Sequence, residues 1–197
     1  MASHRSVRTG RLLQLAQRIR VPAGFILAPL MIIASKPTIG SMLAGSVLSL
    51  AGLGIRGWAS GYLRKNQELA TSGPYAYTRN PLYLGTFLLG LGVSICAGSW
   101  WFICVFATIY LLIYLPVMIA EAETLKGLFP DEYALYSGRV PLLIPRLTSR
   151  ESFPPVRGPA PGRLFDFSLY IRHREYRALI GFVTALAILI LKAWLAS

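Results

Sequence analysis

Two polar stretches that flank apolar runs contain the residues best suited to chemistry. In the first, residues 68–85, a Ser72-Gly73-Pro74 turn precedes Arg79, Asn80 and Pro81 at the start of an apolar run. Proline is tolerated in the first turn of a helix, and asparagine is a common N-cap. The free N–H groups of such a helix start, together with the charge of Arg79, predict a place where an anionic group docks. Taken singly, the same residues also fit an ordinary capped helix in an interfacial aromatic belt.

The second stretch, residues 121–145, begins with Glu121 at the end of the fourth apolar run. Gly138 and Pro141 end a predicted surface helix here and leave Arg139 near the membrane surface. Its apolar and aromatic residues recur at helical spacing behind a Pro-Asp-Glu helix start, namely Phe129, Tyr133, Tyr136 and Val140. An alternative is an amphipathic helix in the lipid headgroups with a solvated Glu121.

The elements that must position these stretches are helices in a membrane. Apolar runs cover residues 21–35, 39–57, 82–97, 100–120 and 178–195, and a spanning helix needs about 20 apolar residues. We therefore predict an all-α polytopic membrane protein with five transmembrane helices. The first run is short and contains prolines, so it fits a spanning helix less well than the other four; the alternative is a cleaved signal peptide. Helical spacing of Leu12, Leu15, Ala16 and Ile19 favours an N-terminal interfacial amphipathic helix instead.

The basic residues indicate which ends of the helices face the cytoplasm. If all five runs span, 18 of the 20 lysines and arginines fall on one side, and the other side holds only Lys36 and Lys192. By the positive-inside rule this asymmetry predicts a cytoplasmic N-terminus and an extracytoplasmic C-terminus. Both polar stretches then lie on the cytoplasmic face.

Composition excludes several other classes of protein. With 54% apolar and 14% charged residues, the chain is too apolar for an ordinary soluble domain. Its net charge of +12 is interleaved with apolar runs and therefore fits membrane topology better than nucleic-acid binding. Cys96, Cys104, His4 and His173 form no cluster with metal-ligand spacing, so no metal is expected. The glycines at 90–92 follow no strand, which indicates helix packing rather than a nucleotide loop.

The motifs together resemble the isoprenylcysteine carboxyl methyltransferase family. The resemblance rests on Gly73-Pro74-Tyr75, the run Arg79–Gly85 (RNPLYLG), Glu121 at a span's end, and the later Arg139-Val140-Pro141. Related motifs occur in phospholipid N-methyltransferases. The family implies an integral membrane enzyme that binds S-adenosylmethionine at the cytosolic side of the third and fourth spans, releases S-adenosylhomocysteine, and admits a lipid acceptor from the bilayer.

Residue by residue, the family's Arg-His-Pro-x-Tyr motif falls on Arg79, Asn80, Pro81 and Tyr83. The first glutamate of its Glu-Glu pair falls on Glu121, and the arginine before its Val-Pro falls on Arg139. The resemblance thus implies catalytic roles for Arg79, Glu121 and Arg139. The residues expected at the cofactor are Tyr77, Arg79, Asn80, Pro81, Tyr83, Leu84, Gly85, Glu121, Tyr133 and Tyr136.

Three departures from the family pattern leave the substrate class open. Asn80 replaces the histidine of the carboxyl methyltransferases and resembles the Asn-Pro-x-Tyr form of phosphatidylethanolamine N-methyltransferase. Ala122 stands at the second glutamate position, with Glu123 as a candidate substitute. A linker and a fifth span follow Pro145, where the eukaryotic carboxyl methyltransferases nearly end.

The sequence is therefore interpreted as one domain over residues 1–197. It comprises an amphipathic N-terminus (1–20), a four-span core (21–120), a cytoplasmic motif (121–145), a linker (146–175) and a fifth span (176–197). The expected activity is methyl transfer to a lipophilic acceptor, foremost carboxyl O-methylation of an isoprenylcysteine-like substrate. The alternatives are phospholipid N-methylation, a non-enzymatic membrane protein, and an NADPH-dependent reductase of the sterol type. The sequence leaves the oligomeric state open.

Overall fold

The structure is a computed structural model that describes residues 29–64, 67–146 and 165–195. Within these ranges it contains helices, one 3-10 turn (Gly73–Ala76) and irregular segments, and no strand, so the predicted all-α class is confirmed for them. Residues 29–34 are the described part of a first helix, α1. The others are α2 (Ile39–Ser60), α3 (Pro81–Cys96), α4 (Trp100–Leu128), α5 (Pro130–Ser137), α6 (Phe167–Arg172) and α7 (Tyr176–Leu195).

Three of these helices, α2, α4 and α7, are long and apolar enough to cross a membrane, and α3 is a shorter apolar helix. Four of the five predicted runs are thus helical. Most of the first run lies outside the described residues, as do the amphipathic N-terminus and residues 147–164 of the linker. Five crossings therefore remain a prediction.

Helices α2 and α3 pack closely along two pairs of glycines. A Cβ built on Gly52 would lie 2.6 Å from the carbonyl oxygen of Gly85, and one on Gly92 would lie 2.4 Å from that of Gly45. The glycines of each helix are seven residues apart, which keeps both contacts on one helix face. Backbones that approach this closely need small residues, as is common between membrane helices. This contact fixes α3 against α2.

Two lysines lie at the end of the bundle away from both polar stretches. The backbone N–H of Lys36 donates to the carbonyl of Ala97 at 2.8 Å. The ammonium of Lys192 donates to the carbonyls of Ile32 at 2.6 Å and Ser35 at 2.7 Å, where α1 ends. A cation is favourable at a helix C-terminus because the last carbonyls lack partners. Lys36 and Lys192, which the predicted topology placed on the side opposite the other basic residues, therefore lie at the same end of the helix bundle.

The opposite end is formed by the C-terminus of α2, the N-terminus of α3, the C-terminus of α4 and the joint between α6 and α7.

An aromatic row holds α3 against α4: Phe87 and Phe106 stack at 6.0 Å between centroids, and the Tyr110 hydroxyl donates to the carbonyl of Tyr83 at 2.7 Å. A Cβ on Gly90 would lie 2.2 Å from the Phe106 ring, which confirms the packing role expected of that glycine.

Candidate functional site

The two polar stretches predicted from the sequence meet through their backbones. The N–H of Arg79 donates to the carbonyl of Pro141 at 2.9 Å, and the N–H of Arg146 donates to the carbonyl of Tyr77 at 3.1 Å. These bonds run in both directions between segments more than 60 residues apart. The segment before α3 and the segment after α5 therefore form one unit, which we call the joined motif (residues 75–80 and 139–146).

Hydrogen bonds from side chains also join the two segments. The Thr78 hydroxyl is buried and donates to the carbonyl of Leu143 at 3.0 Å. The amide nitrogen of Asn80 donates to the carbonyl of Leu142 at 3.0 Å. Asn80 does occupy the N-cap position of α3, with Pro81 in the first turn, but its side chain makes no capping bond. The predicted N-cap position is therefore confirmed, whereas the side chain does not cap, because it is turned toward the carbonyl of Leu142 instead.

Tyr133 and Tyr136 of α5 face the protein and form a buried cluster with Val140. The Tyr136 hydroxyl donates to the carbonyl of Tyr75 at 2.7 Å. The Tyr133 hydroxyl accepts a bond of 2.9 Å from Nη1 of Arg79, whose guanidinium carbon lies 5.8 Å from the centre of the Tyr133 ring. The aromatic stripe thus anchors α5 to the joined motif; its spacing had predicted only that these residues share one face of a surface helix.

Two arginines of the joined motif have a buried N–H group with no partner among the described residues. One is Nε of Arg79 and the other is Nη2 of Arg146. Arg146 otherwise donates to the carbonyls of Ala76 and Arg139, each at 3.0 Å. A buried donor without a partner is costly, so an anionic or carbonyl oxygen that accepts from these groups would be favourable there. Arg146 was not among the predicted site residues.

Glu121 lies on α4, which continues about two turns beyond it to Leu128. The predicted helical run ended at residue 120, so this boundary is corrected. Burial raises the pKa of the Tyr75 phenol, and the nearby carboxylates of Glu121 and then Glu175 raise it further. Glu121 is therefore within electrostatic range of Tyr75, whose carbonyl the Tyr136 hydroxyl holds. It is solvent-exposed, and no ion pair to it is found among the described residues.

The family's second glutamate position holds Ala122, which packs against the Tyr133 and Tyr136 cluster. Glu123 is exposed on α4. Because residues two apart on a helix are turned by roughly 200°, Glu123 points to the side opposite Glu121. Ala122 therefore makes an apolar contact at this position. Glu123 does not lie on the face of α4 that carries Glu121.

The remaining predicted cofactor residues occupy three environments. Tyr77 is in the joined motif, with its ring centre 6.2 Å from that of Trp58. Pro81 is buried at the start of α3, and Tyr83 and Leu84 follow it in the same turn, with the Tyr83 ring 5.7 Å from that of Tyr114. Gly85 lies at the contact with α2, where its close approach serves packing.

An ion pair beside this region was not anticipated. Arg56 of α2 pairs with Glu175 at 2.8 Å, although 119 residues separate them in the chain. Nothing in the local sequence around either residue indicates the other. Pairs of this kind follow from the way helices pack, which periodicity alone does not specify.

Comparison with known proteins identifies the family. Residues 30–132 match the phospholipid methyltransferase family. Because this match covers just over half of the 197 residues, the chain belongs to that family. The resemblance seen in the motifs is thereby confirmed.

Two bacterial proteins are among its relatives. The cobalt-zinc-cadmium resistance protein of Cupriavidus metallidurans is 36% identical over 137 residues, which cover 66% of this chain and 62% of the relative. The nickel-cobalt-cadmium resistance protein of Alcaligenes xylosoxydans xylosoxydans is 32% identical over 114 residues, which cover 54% and 53% respectively. In the described ranges, no group of three or more His, Cys, Asp or Glu residues is placed to hold a metal ion.

A third relative carries the name of an enzyme. The protein-S-isoprenylcysteine O-methyltransferase of Schizosaccharomyces pombe is 29% identical over 107 residues, which cover 54% of this chain and 45% of the relative. The chain thus aligns with about half to three fifths of the length of these relatives. No solved structure matches the chain significantly.

Proposed function

We propose that this protein is a membrane methyltransferase that uses S-adenosylmethionine to methylate a lipophilic acceptor. The observation that carries the proposal is the joined motif, in which hydrogen bonds hold Arg79 and Tyr77 against residues 141–146. Membership of the phospholipid methyltransferase family supports it, as does the activity that the name of the Schizosaccharomyces pombe relative states.

The donors of the joined motif suit the cofactor's polar groups. The unpartnered Nε of Arg79 would pair with the carboxylate of its methionine part, since guanidinium groups bind carboxylates well. Glu121, which is exposed and outside the ion pairs described above, would receive its ammonium or ribose hydroxyl groups. Tyr133 and Tyr136 would hold α5 as one wall of the same site.

When bound, the cofactor supplies a methyl group on a sulfonium, which is a reactive electrophile without further activation. The work left to this chain is to align donor and acceptor and to exclude water. Buried tyrosines and a hydrogen-bonded backbone suit that task. No nucleophile–base pair is required, which agrees with the lack of such a pair among the assigned residues.

For the acceptor we favour a carboxylate on a lipophilic molecule such as an isoprenylcysteine. Arg139, exposed at the end of α5, and Arg146 beside it give this end of the bundle fixed positive charge, which attracts an anionic acceptor. A carboxylate is already deprotonated at neutral pH and needs no general base. We place this end on the cytoplasmic face by the positive-inside rule.

A phospholipid amine is the second candidate, and two observations favour it. Asn80 gives the motif its Asn-Pro-x-Tyr form, and the matched family is described as phospholipid methyltransferase. An amine is mostly protonated at neutral pH and must lose a proton before it attacks. In this case Glu121 would receive that proton.

The test is to incubate the purified protein in lipid bilayers with methyl-labelled S-adenosylmethionine and both acceptor classes, and to follow the label by mass spectrometry. A labelled methyl ester on an S-farnesylcysteine acceptor is the expected product. Label on phosphatidylethanolamine instead would establish the second candidate. Absence of any labelled lipid, combined with NADPH binding, would contradict the proposal and favour the reductase class.

A further inference from the structure

The segment that precedes α7 docks on the end of α2. The Phe165 ring lies against Gly61, where an added Cβ would be 2.3 Å from the ring. The N–H of Asp166 donates to the Gly61 carbonyl at 3.1 Å, and Tyr170 lies 3.5 Å from a Cβ placed on Gly57. Residues 165–175 fall outside the family match at 30–132. They are nevertheless packed directly onto its core.

A continuous set of contacts leads from this segment to the candidate site. The centres of the Phe165 and Tyr62 rings are 6.4 Å apart, and the Tyr62 ring lies 2.8 Å from a Cβ built on Gly73. Gly73 has a φ of 59°, a conformation that only glycine adopts readily. It opens the 3-10 turn that contains Tyr75. Residues 165–175 are therefore connected through Tyr62 to the turn that begins at Gly73.

The ion pair between Arg56 and Glu175 connects three helices at this point. Nε of Arg56 donates to Oε2 of Glu175 at 2.9 Å, Nη2 donates to Oε1 at 3.0 Å, and Nη1 donates to the Thr86 hydroxyl. The Glu175 side chain is only 9% exposed. Because the guanidinium is planar and forked, it fixes the direction as well as the distance of both partners. The end of α2, the second turn of α3 and the start of α7 are thus held in one geometry.

The pair lies next to the predicted cofactor residues, beside Gly85 and at the second turn of α3. Thr86 is one turn further along α3 than Leu82, to whose carbonyl it donates at 2.8 Å. The Cγ of Arg56 is 2.6 Å from a Cβ placed on Gly85. None of the hydrogen bonds described for the joined motif involves either charged residue. Disturbing the pair should therefore affect the side from which a lipid approaches more than the side that binds the cofactor.

We propose that Glu175 is a positioning residue of the methyl-transfer site, which acts through Arg56 to set α3 and α7 around the lipid acceptor. This inference rests on the proposed function. A buried ion pair contributes little net stability compared with an apolar pair of similar volume. Its contribution here is to orientation, since misplacement of a bound reactant by about 1 Å is enough to lower turnover as much as 100-fold.

The test compares Glu175→Gln with the wild type in bilayers, using S-farnesylcysteine and phosphatidylethanolamine as acceptor probes and S-adenosylhomocysteine as cofactor probe. We expect kcat/KM for the acceptor to fall by at least about tenfold, with the Kd for S-adenosylhomocysteine within about twofold of wild type because the joined motif is untouched. Arg56→Gln should lower kcat/KM at least as much, since it also loses the bond to Thr86, and the double variant should be no worse than Arg56→Gln alone, because the pair is already broken in it.

The matched control is Asp166→Asn. It removes the exposed ion pair with Arg64 at 3.7 Å in the same segment, and asparagine still caps α6. This variant should retain wild-type kinetics. If Glu175→Gln folds poorly because Arg56 is left buried and unpaired, the double variant Arg56→Gln/Glu175→Gln removes both charges and serves in its place.

Each outcome bears on the inference. A wild type that transfers methyl groups, with unchanged acceptor kinetics in both Glu175→Gln and the double variant, overturns the positioning role and leaves the proposed function standing. Equal losses of acceptor kinetics and cofactor affinity also overturn it, since they indicate general structural damage. A wild type with no methyl transfer to any lipid overturns the proposed function, and this inference with it.

Discussion

The hydroxyl of Tyr136 donates a 2.7 Å hydrogen bond to the backbone carbonyl of Tyr75, and both residues are buried. The bond joins α5 to the turn before α3, across 61 residues of sequence. It belongs to the set of bonds that makes one site from two distant motifs.

Replacing Tyr136 with phenylalanine should destabilise the protein, because the Tyr75 carbonyl would be left buried without this partner. The expected loss is about 1–3 kcal/mol of unfolding free energy, seen as a lower Tm in detergent. Tyr114→Phe is the control, since the Tyr114 ring stacks on Tyr110 and no hydrogen bond of its hydroxyl is found among the described residues. Equal Tm values for Tyr136→Phe and the wild type would show that the bond contributes nothing.

The glycine contact between α2 and α3 predicts opposite effects at two neighbouring positions. Gly52→Ala would place a Cβ 2.6 Å from two backbone atoms of α3, so the helices must separate and the Tm should fall. Gly54→Ala meets nothing within 4 Å and should be neutral or stabilising by up to about 1 kcal/mol, because alanine favours the helix. Similar Tm values for both variants would contradict this packing.

The dependence of the rate on pH distinguishes the two acceptor classes. A carboxylate acceptor is ionised throughout the range from about pH 6 to 8, so its methylation rate should hardly change with pH. An amine acceptor reacts only when deprotonated, so its methylation rate should rise about tenfold for each unit of pH increase. Ionisation of Tyr75 should not contribute to this pH dependence, since burial and the nearby carboxylates raise the pKa of its phenol and keep it protonated. Initial rates with each acceptor measure the slope. A steep rise with the carboxylate acceptor would contradict the assignment.

The sequence predicted the helices well because long apolar runs specify them directly. It placed the end of α4 too early: charged residues interrupt the apolar run at 121–128, but most of these residues are good helix formers, so the helix continues to Leu128. An apolar run marks what is buried in lipid, and helical structure extends beyond it.

The sequence indicated which residues to consider for the candidate site, but not how those residues contact one another. The spacing of Tyr133 and Tyr136 showed that they share a helix face, and the family resemblance pointed to Arg79. The use of the Asn80 amide for Leu142 and the pairing of Arg56 with Glu175 depend on how distant segments pack. No local pattern specifies such contacts.

The central claim is that the joined motif and Glu121 together bind the cofactor. Calorimetric titration of S-adenosylhomocysteine into wild type, Arg79→Ala and Glu121→Gln tests it, with Glu123→Gln as control on the opposite face of α4. Loss of one charge-assisted hydrogen bond of about 1.5–3 kcal/mol predicts that each of the first two variants binds at least about tenfold more weakly, while Glu123→Gln binds as the wild type does. Unchanged affinity in both Arg79→Ala and Glu121→Gln would contradict the claim.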